Sequence, residues 1–251
     1  MIVLNYHRIS ETVGDSGLYT VSPVRFSQHL EVLVEHGVKV VVCDEVFDGR
    51  VDHKSVMLHF DDGTTDHFDK VAPLLGRHGF FGVFFISTAK IGNEGYLSEA
   101  EVRTMAEAGH SIECHGHSHR RMDRMPAEEL AAELRKSVGE IQRLTGRRPR
   151  IIAPPGGFVS KQVVAAAAQM GMHVVRTMRW SDNPTPLRGT LDCLVVHHGV
   201  TPETIGHWLD GKGMRAMRTC FLAKQLVRSV MPQDLYLTLR HMLVREKKSV
   251  S

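Results

Sequence analysis

The sequence predicts an α/β protein built on a parallel β-sheet, closed as a barrel or open and doubly wound. Short apolar, β-branched segments alternate with segments whose apolar residues recur every three to four positions. Polar, chemically active side chains directly follow several predicted strands, whose carboxyl ends gather at one edge or face of such a sheet. With 251 residues, 42% hydrophobic and 24% charged, the chain can form one large barrel or two small domains.

The first half of the chain is predicted to contain five strands and three helices. Proline at position 23 favours a helix start, and Ser98 with Glu101 forms a capping box that predicts another. Apolar, β-branched runs indicate the strands. In order, we expect a strand at 3–7, a helix at 23–37, strands at 38–42 and 56–60, a helix at 68–79, a strand at 82–86, a helix at 98–109 and a strand at 111–114.

The second half continues the alternation. The longest helix is expected at 126–144, closed by Gly146, because glycine favours the left-handed residue that ends many helices. A strand at 151–153, an alanine-rich helix at 163–170 and strands at 173–177 and 191–196 follow. The alternation of strands and helices over this length is what predicts parallel strands.

A basic helical tail is predicted after the α/β body. We expect the body to comprise residues 1–211 and the tail to comprise residues 212–251. The tail contains nine Lys or Arg residues and only two acidic residues. Its apolar residues have helical spacing. One interpretation is a helical pair packed on the barrel, and the other is contact of 214–251 with an anionic membrane surface.

Apolar runs, cysteines and net charge indicate where the protein is located and which partners it binds. The opening residues lack a basic and then apolar leader, and no apolar run approaches the ~18 residues that span a bilayer. Four cysteines without C-x-x-C spacing indicate reduced thiols. We therefore expect a cytoplasmic protein, at the inner membrane face if the tail binds there. Net charge is only +3, and we expect no nucleic-acid partner.

Two adjacent carboxylates, Asp61 and Asp62, follow the predicted strand 56–60 and precede Gly63. Neighbouring side chains on an extended chain point in opposite directions, so one carboxylate could hold a metal while the other accepts a proton. The same three residues also suit an ordinary turn. By itself this motif leaves both interpretations open.

Three histidines, His115, His117 and His119, are spaced two apart after the strand at 111–114. If the strand continued, they would share one face; if a helix began at Gly116, His115 and His119 would form an i, i+4 pair. Two imidazoles and one carboxylate form an open catalytic site for a divalent metal. The alternative is a solvated basic loop, since arginines follow directly.

Four motifs together resemble the polysaccharide deacetylases of carbohydrate esterase family 4. They are LNYHRIS at 4–10, HFDDG at 59–63, HGHSH at 115–119 and APPGG at 153–157. The resemblance extends over residues 2–209. It implies a distorted (β/α)7 TIM-like barrel with the C-terminal helical extension outside it, and metal-dependent removal of an acetyl group from an N-acetylated sugar, oligosaccharide or lipid-linked glycan precursor.

The resemblance also implies roles for individual residues. Asp61 would be the general base and His7 the general acid, with His197 or His198 as the alternative acid. Asp62, His115 and His119 would bind the metal, with zinc favoured and cobalt or manganese acceptable. The residues expected to contact substrate are Pro155, Gly156, Trp180, Asn183 and His197.

One position departs from the family pattern. Ala153 stands where the family usually carries an arginine that orients the base, and Arg176 or Arg179 could replace it. This departure keeps two competing functions open. One is a hydrolase of the same scaffold that acts on a non-sugar amide or imide, and the other is a catalytically silent carbohydrate-binding relative.

Overall fold

Parallel strands form a nearly closed barrel, as the resemblance predicts. The computed structural model describes residues 1–11, 17–184, 187, 189–213 and 219. The chain divides into the units Met1–Lys212 and Gly213–Ser251. The first unit is the barrel, and the predicted helices of the tail lie outside the described residues.

Eleven strands are found within the described residues. They are β1 Ile2–Tyr6, β2 Arg8–Ile9, β3 Thr20–Val21, β4 Lys39–Val40, β5 Ser55–Asp62, β6 Val83–Ile86, β7 Ser111–Cys114, β8 Ile151–Ile152, β9 Val174–Thr177, β10 Thr190–Asp192 and β11 Leu194–Val195. The main sheet has the parallel order β10-β9-β8-β7-β6-β5-β1-β11, with β4 also paired to β5. Cys193 alone separates β10 from β11, so one residue joins the two edges of the sheet.

Helices follow most strands. They are α1 Pro23–Glu35, α2 Cys43–Phe47, α3 Ala72–Arg77, α4 Glu99–Glu107, α5 Ala127–Thr145, α6 Lys161–Gln169 and α7 Pro202–Leu209. A π-helical turn, His67–Val71, precedes α3. Short 3-10 turns include Pro155–Gly157 after β8.

The predicted helix boundaries agree with the structure where a cap marked them. Ser22 accepts a hydrogen bond from the Arg25 N–H at the start of α1, and the capping box of Ser98 and Glu101 is formed. Gly146 ends α5 with φ 71°. Local capping chemistry therefore decides these boundaries.

Elements without such a signal were predicted less well. Helix α2 has five residues, too few to show helical periodicity, and α7 was not predicted despite Pro202 at its start. The strand predicted at 191–196 is two strands, because the chain crosses from one edge of the barrel to the other at Cys193.

Side chains of the strands alternate between two apolar layers. The barrel interior holds one buried cluster, which includes Val3, Met57, Val83, Phe85, Ile151, Val174 and Val195. On the outer side, Tyr6 stacks on Phe60 and contacts Phe26 of α1, with ring centroids 5.6 and 5.1 Å apart. Towards the carboxyl ends of the strands, the inward positions become polar, with Asn5, Asp61 and Arg176 all buried.

The described residues contain neither a disulfide nor a helix that could span a membrane. Cys43, Cys114 and Cys193 are free and buried, which agrees with the reduced thiols expected from their spacing. Among the described helices, none has both the length and the apolar character that a bilayer crossing needs.

Candidate active site

The carboxyl end of β5 carries both carboxylates of the first motif. The strand continues two residues beyond its predicted end and includes Asp61 and Asp62. The Asp61 side chain is 4% exposed, whereas that of Asp62 is 25% exposed at the rim. The two carboxylates thus face different surroundings, as their positions on an extended chain predicted.

Asp62, His115 and His119 come together at the rim. Asp62 Oδ1 lies 2.9 Å from His119 Nε2 and 3.4 Å from His115 Nε2. The ligand atoms of the three residues all lie within 4.8 Å of one another. The segment from Gly116 to His119 forms a loop, so neither the continued strand nor the i, i+4 helical pair is formed.

Backbone strain coincides with this cluster. Asp62 has φ 82° and His119 has φ 60°, and these are the non-glycine residues with positive φ in the described ranges. Side chains with a Cβ rarely adopt this conformation, which costs about 1–3 kcal/mol per residue unless the surroundings impose it. The fold therefore stabilises an unfavourable backbone at two of the three ligand positions.

His115 is held in one tautomer by the residue that replaces the family arginine. Its Nδ1–H donates a hydrogen bond of 2.5 Å to the carbonyl oxygen of Ala153. Because a carbonyl only accepts, the proton belongs on Nδ1 and the lone pair of Nε2 faces Asp62. The Ala153 backbone thus prepares His115 as a metal ligand.

Glu133 on α5 supports the histidine loop, and the sequence analysis missed it. It is 7% exposed, and its Oε1 accepts hydrogen bonds from the N–H groups of His117 and Ser118 at 2.8 and 2.6 Å. A third comes from Ser118 Oγ at 3.0 Å. The available signal was a carboxylate on the apolar face of a predicted helix, beside Leu130 and Leu134.

His117 does not join the metal cluster. Its Nδ1 shares a hydrogen bond of 2.9 Å with Thr88 Oγ1.

Asp61 is held through one oxygen. Its Oδ2 accepts hydrogen bonds from Arg176 Nη2 at 2.6 Å and Asn5 Nδ2 at 3.1 Å, and His7 Nε2 lies 3.7 Å away. Its buried Oδ1 accepts none from the described part of the chain. Arg179 instead lies at the surface, 3.7 Å from Asp192. Of the two candidates, Arg176 thus contacts the carboxylate that the family arginine would orient.

Both carboxylates are ionised at neutral pH. Burial by itself would raise the pKa of Asp61, but Arg176, His115 and His7 together lower it to about 2. Burial opposes ionisation of Asp62 as well, yet its contacts with His115 and His119 hold its pKa well below the usual range. For His7, burial lowers the pKa and the two carboxylates partly oppose this effect.

Histidines end the two neighbouring strands β1 and β11. Asn5 pairs with Val195, so His7 and His197 each lie two residues beyond this pair, at the same rim. The His7 ring stacks on Tyr19, with centroids 4.8 Å apart. His198 Nδ1 donates 3.2 Å to the Leu18 carbonyl. Of the candidate acids, His7 is the one placed against Asp61.

The turn after β8 borders the site through Ala153. Pro155 is buried, and Gly156 is exposed with φ 70°. Gly157 donates its N–H to the Pro154 carbonyl at 2.9 Å, so this N–H belongs to the turn.

Asn183 is not at the site, contrary to expectation. The Met1 amino group donates to the Asn183 carbonyl at 3.1 Å, and the Asn183 N–H donates to the Met1 carbonyl at 2.9 Å. Met1 precedes β1 and His7 follows it, so about 20 Å of extended chain separates them. Asn183 therefore closes the opposite end of the barrel, where its side chain also bonds Asp192.

Trp180 packs against the protein interior. It lies against the buried interior cluster, and its ring contacts Trp208 edge to face with centroids 6.2 Å apart. Trp208 is in the last turn of α7 and is buried. The structure thus shows packing contacts for Trp180, and its contact with substrate stays a prediction.

The donor set fits a divalent metal ion. The ligand atoms of Asp62, His115 and His119 lie close together, and the hydrogen bond to Ala153 fixes the tautomer of His115. The buried Oδ1 of Asp61, the residue next to Asp62, accepts no hydrogen bond from the described part of the chain. Such a three-ligand set leaves coordination positions open for water or substrate. The arrangement suits hydrolysis rather than a closed structural site.

Known proteins resemble part of this chain. The Bacillus subtilis protein YxkH is 27% identical over 174 residues, covering 67% of this chain and 61% of that protein. Peptidoglycan-N-acetylmuramic acid deacetylase PdaA of Bacillus subtilis is 26% identical over 140 residues, covering 55% and 51%. The chain thus matches less than two thirds of the length of these relatives.

A solved structure shares the fold. The Streptococcus pyogenes deacetylase PplD in complex with acetate superimposes with a TM-score of 0.73 at 19% identity, covering 82% of this chain and 96% of that chain. Residues 48–175, just over half of the chain, match the family model described as Polysaccharide deacetylase. Since this match covers more than half of the chain and includes Asp61, Asp62, His115 and His119, the chain belongs to the polysaccharide deacetylase family.

Proposed function

We propose that the protein is a metal-dependent hydrolase that removes the N-acetyl group from an N-acetylated sugar or glycan. One observation carries this proposal. The cluster of Asp62, His115 and His119 adjoins a buried carboxylate, Asp61, of which one oxygen is held and the other accepts no hydrogen bond from the described chain. The name of PdaA, a peptidoglycan deacetylase, supports an N-acetylated glycan as the substrate class.

The residues divide the chemistry among them. A metal held by Asp62, His115 and His119 would supply Lewis-acid activation of water and of the amide carbonyl. Asp61 would take the proton of the attacking water on Oδ1, while Arg176 and Asn5 hold Oδ2. His7 would give a proton to the leaving amine as the C–N bond breaks, so that amide and water yield acetate and the free amine.

The finer assignments are part of the same proposal. Zinc is the favoured metal, although two histidines and one carboxylate also accept cobalt or manganese. Pro155, Gly156 and His197, at the rim, would contact the sugar. Acetate release by the metal-loaded protein from N-acetylglucosamine oligomers and lipid-linked precursors tests these points.

Matched variants make that assay decisive. Release should disappear with a chelator, return with added metal, and be lost in Asp61→Asn and Asp62→Ala. Release that survives these changes would overturn the mechanism. If the wild type binds metal but hydrolyses a cyclic imide instead, the non-sugar hydrolase is correct, and metal and sugar binding without any turnover identifies the silent binder.

We also propose a location, from the tail. A cytoplasmic enzyme whose segment 214–251 contacts an anionic membrane would meet lipid-linked glycans there. Removing residues 214–251 should abolish cosedimentation with anionic vesicles. Neither the full-length nor the shortened protein should cosediment with neutral vesicles. Unchanged vesicle binding by the shortened protein would refute the membrane contact.

A further inference from the structure

The backbone of the proposed acid, His7, is held from outside its own strand. His7 lies between β1 and β2, outside the paired register of either strand. Its distance from Asp61, 3.7 Å between Nε2 and Oδ2, therefore depends on other contacts of residues 7–9. Besides the pairing of β2 with β3 and the stacking of His7 on Tyr19, two neighbouring side chains, Asp66 and His67, provide such contacts.

His67 contacts the carbonyl of His7. Its Nε2 lies 2.6 Å from the His7 carbonyl oxygen, and because that oxygen only accepts, Nε2–H is the donor. The residue is fully buried, and its ring contacts Phe60 and Phe84 with centroids 5.7 and 5.5 Å apart. This packing leaves the His67 ring little freedom, so the bond fixes the position of the His7 peptide.

Asp66 holds the same segment two residues further on. Its Oδ2 accepts a hydrogen bond of 2.7 Å from the Ile9 N–H, and Oδ1 lies 3.9 Å from Arg8 Nε. Asp66 is 6% exposed. The two side chains thus bond the backbone on both sides of Arg8.

The turn that carries these side chains is unusual. His67 begins the π-helical turn His67–Val71, and such turns are rare and frequent at functional sites. The turn follows Asp61 and Asp62 by only a few residues. The segment 61–67 therefore contains the proposed base, one proposed metal ligand and the two side chains that hydrogen-bond to the backbone around the proposed acid.

We infer that His67, assisted by Asp66, is a positioning residue that sets the His7 imidazole for proton donation to the leaving amine. This inference rests on the proposed deacetylase function. A purely structural His67 would affect stability and every substrate alike. A positioning His67 would affect the substrates whose leaving group needs a proton.

Two variants separate these roles. His67→Phe keeps an aromatic ring against Phe60 and Phe84 but removes the donor, and His67→Gln keeps an N–H donor near the position of Nε2. With the holoenzyme and an N-acetylglucosamine oligomer, His67→Phe should lower kcat at least tenfold with KM within threefold, and His67→Gln should recover most of that loss. His78→Phe, at the end of the same helical segment, is the control.

The leaving group supplies the critical comparison. p-Nitrophenolate departs without a proton, so His67→Phe should lower turnover of p-nitrophenyl acetate less than threefold, as should His7→Gln. Equal losses on the amide and the ester would overturn the inference.

Histidine NMR spectra of the metal-loaded protein test the contact without activity. The His7 ring signals should shift in His67→Phe and return in His67→Gln; unshifted signals in His67→Phe would refute the contact even if deacetylation itself is not found. If the His7 signals respond but no acetylated sugar is hydrolysed, the contact stands and the proposed function fails.

Discussion

Arg176 on β9 donates a hydrogen bond of 2.6 Å to Asp61 on β5 across the barrel interior. Three strands, β8, β7 and β6, separate these two in the sheet. The Arg176 side chain is 2% exposed and that of Asp61 4% exposed. A buried ion pair of this kind fixes Oδ2 of Asp61, and Oδ1, which accepts no hydrogen bond from the described part of the chain, is the oxygen that takes the proton in the proposed mechanism.

Substitution of Arg176 tests this relationship. We expect Arg176→Gln to lower kcat/KM by roughly 10² or more, up to the loss seen in Asp61→Asn, because general base catalysis contributes about 10²–10⁴-fold. Arg176→Lys keeps the charge but not the guanidinium geometry, so its kcat/KM should lie between the values of the wild type and of Arg176→Gln. Steady-state kinetics of folded, metal-loaded protein measures the effect.

Arg179→Gln is the matched control, since Arg179 lies at the surface beside Asp192. Its kcat/KM should stay within twofold of the wild type. Metal affinity of Arg176→Gln should also change little, because Arg176 does not touch the ligand cluster. Wild-type turnover in Arg176→Gln would show that the pair does not orient the base.

Glu133 should control metal affinity without being a ligand. Glu133→Ala removes the acceptor of three hydrogen bonds in the histidine loop and should weaken metal binding about 10–100-fold, as outer-shell changes commonly do. Glu133→Gln retains an accepting oxygen and should lose less metal affinity than Glu133→Ala. Calorimetric titration with zinc measures both, and Glu128→Ala, at an exposed position of the same helix, should bind zinc like the wild type.

Glycine is required at position 116 by space and by backbone conformation. Gly116 has φ 78°, and a Cβ there would lie 2.5 Å from Met122 Cε and 3.0 Å from Glu133 Oε1. Gly116→Ala should lower the free energy of unfolding by about 1–3 kcal/mol, because it combines positive φ with a clash. Urea unfolding of the chelated protein gives the value.

Gly139 in α5 provides the opposite case. A Cβ there meets nothing within 4 Å. Gly139→Ala should raise the free energy of unfolding by up to about 1 kcal/mol, since alanine is the better helix former. If Gly116→Ala and Gly139→Ala changed the free energy of unfolding in the same direction, this account of Gly116 would be contradicted.

Acid should destabilise the protein through His110. Burial lowers the pKa of His110 to about 4, below the ~6.5 of an unfolded histidine. As pH falls below ~6.5, the unfolded state binds the proton first, so stability is complete above that pH and is lost as pH approaches about 4. The full loss from one such group is about 3 kcal/mol.

His110→Asn isolates this contribution. Asparagine can still accept the Gly82 N–H that His110 Nδ1 accepts at 3.1 Å, but it cannot take up a proton. Between pH 6.5 and 4, the free energy of unfolding of the chelated variant should therefore fall less steeply than that of the wild type. The exposed His53→Asn serves as control, and parallel pH curves for His110→Asn and wild type would sink the prediction.

The sequence by itself determined the features that depend on neighbours in the chain. The order of strands and helices follows from apolar periodicity, and the ends of α1, α4 and α5 follow from capping residues. Asp61, Asp62, His115 and His119 were found because their motifs are local and each follows a strand. Parallel strands then bring such ends to one face of the barrel.

Only the tertiary structure decided the contacts between distant elements. It selected Arg176 over Arg179, added Glu133, and showed that Asn183 bonds Met1 at the far end of β1. Local sequence cannot give these contacts, because closure of the barrel sets which side chains from different strands meet inside it. Loop paths such as the one that brings Asn183 to Met1 depend on that closure as well.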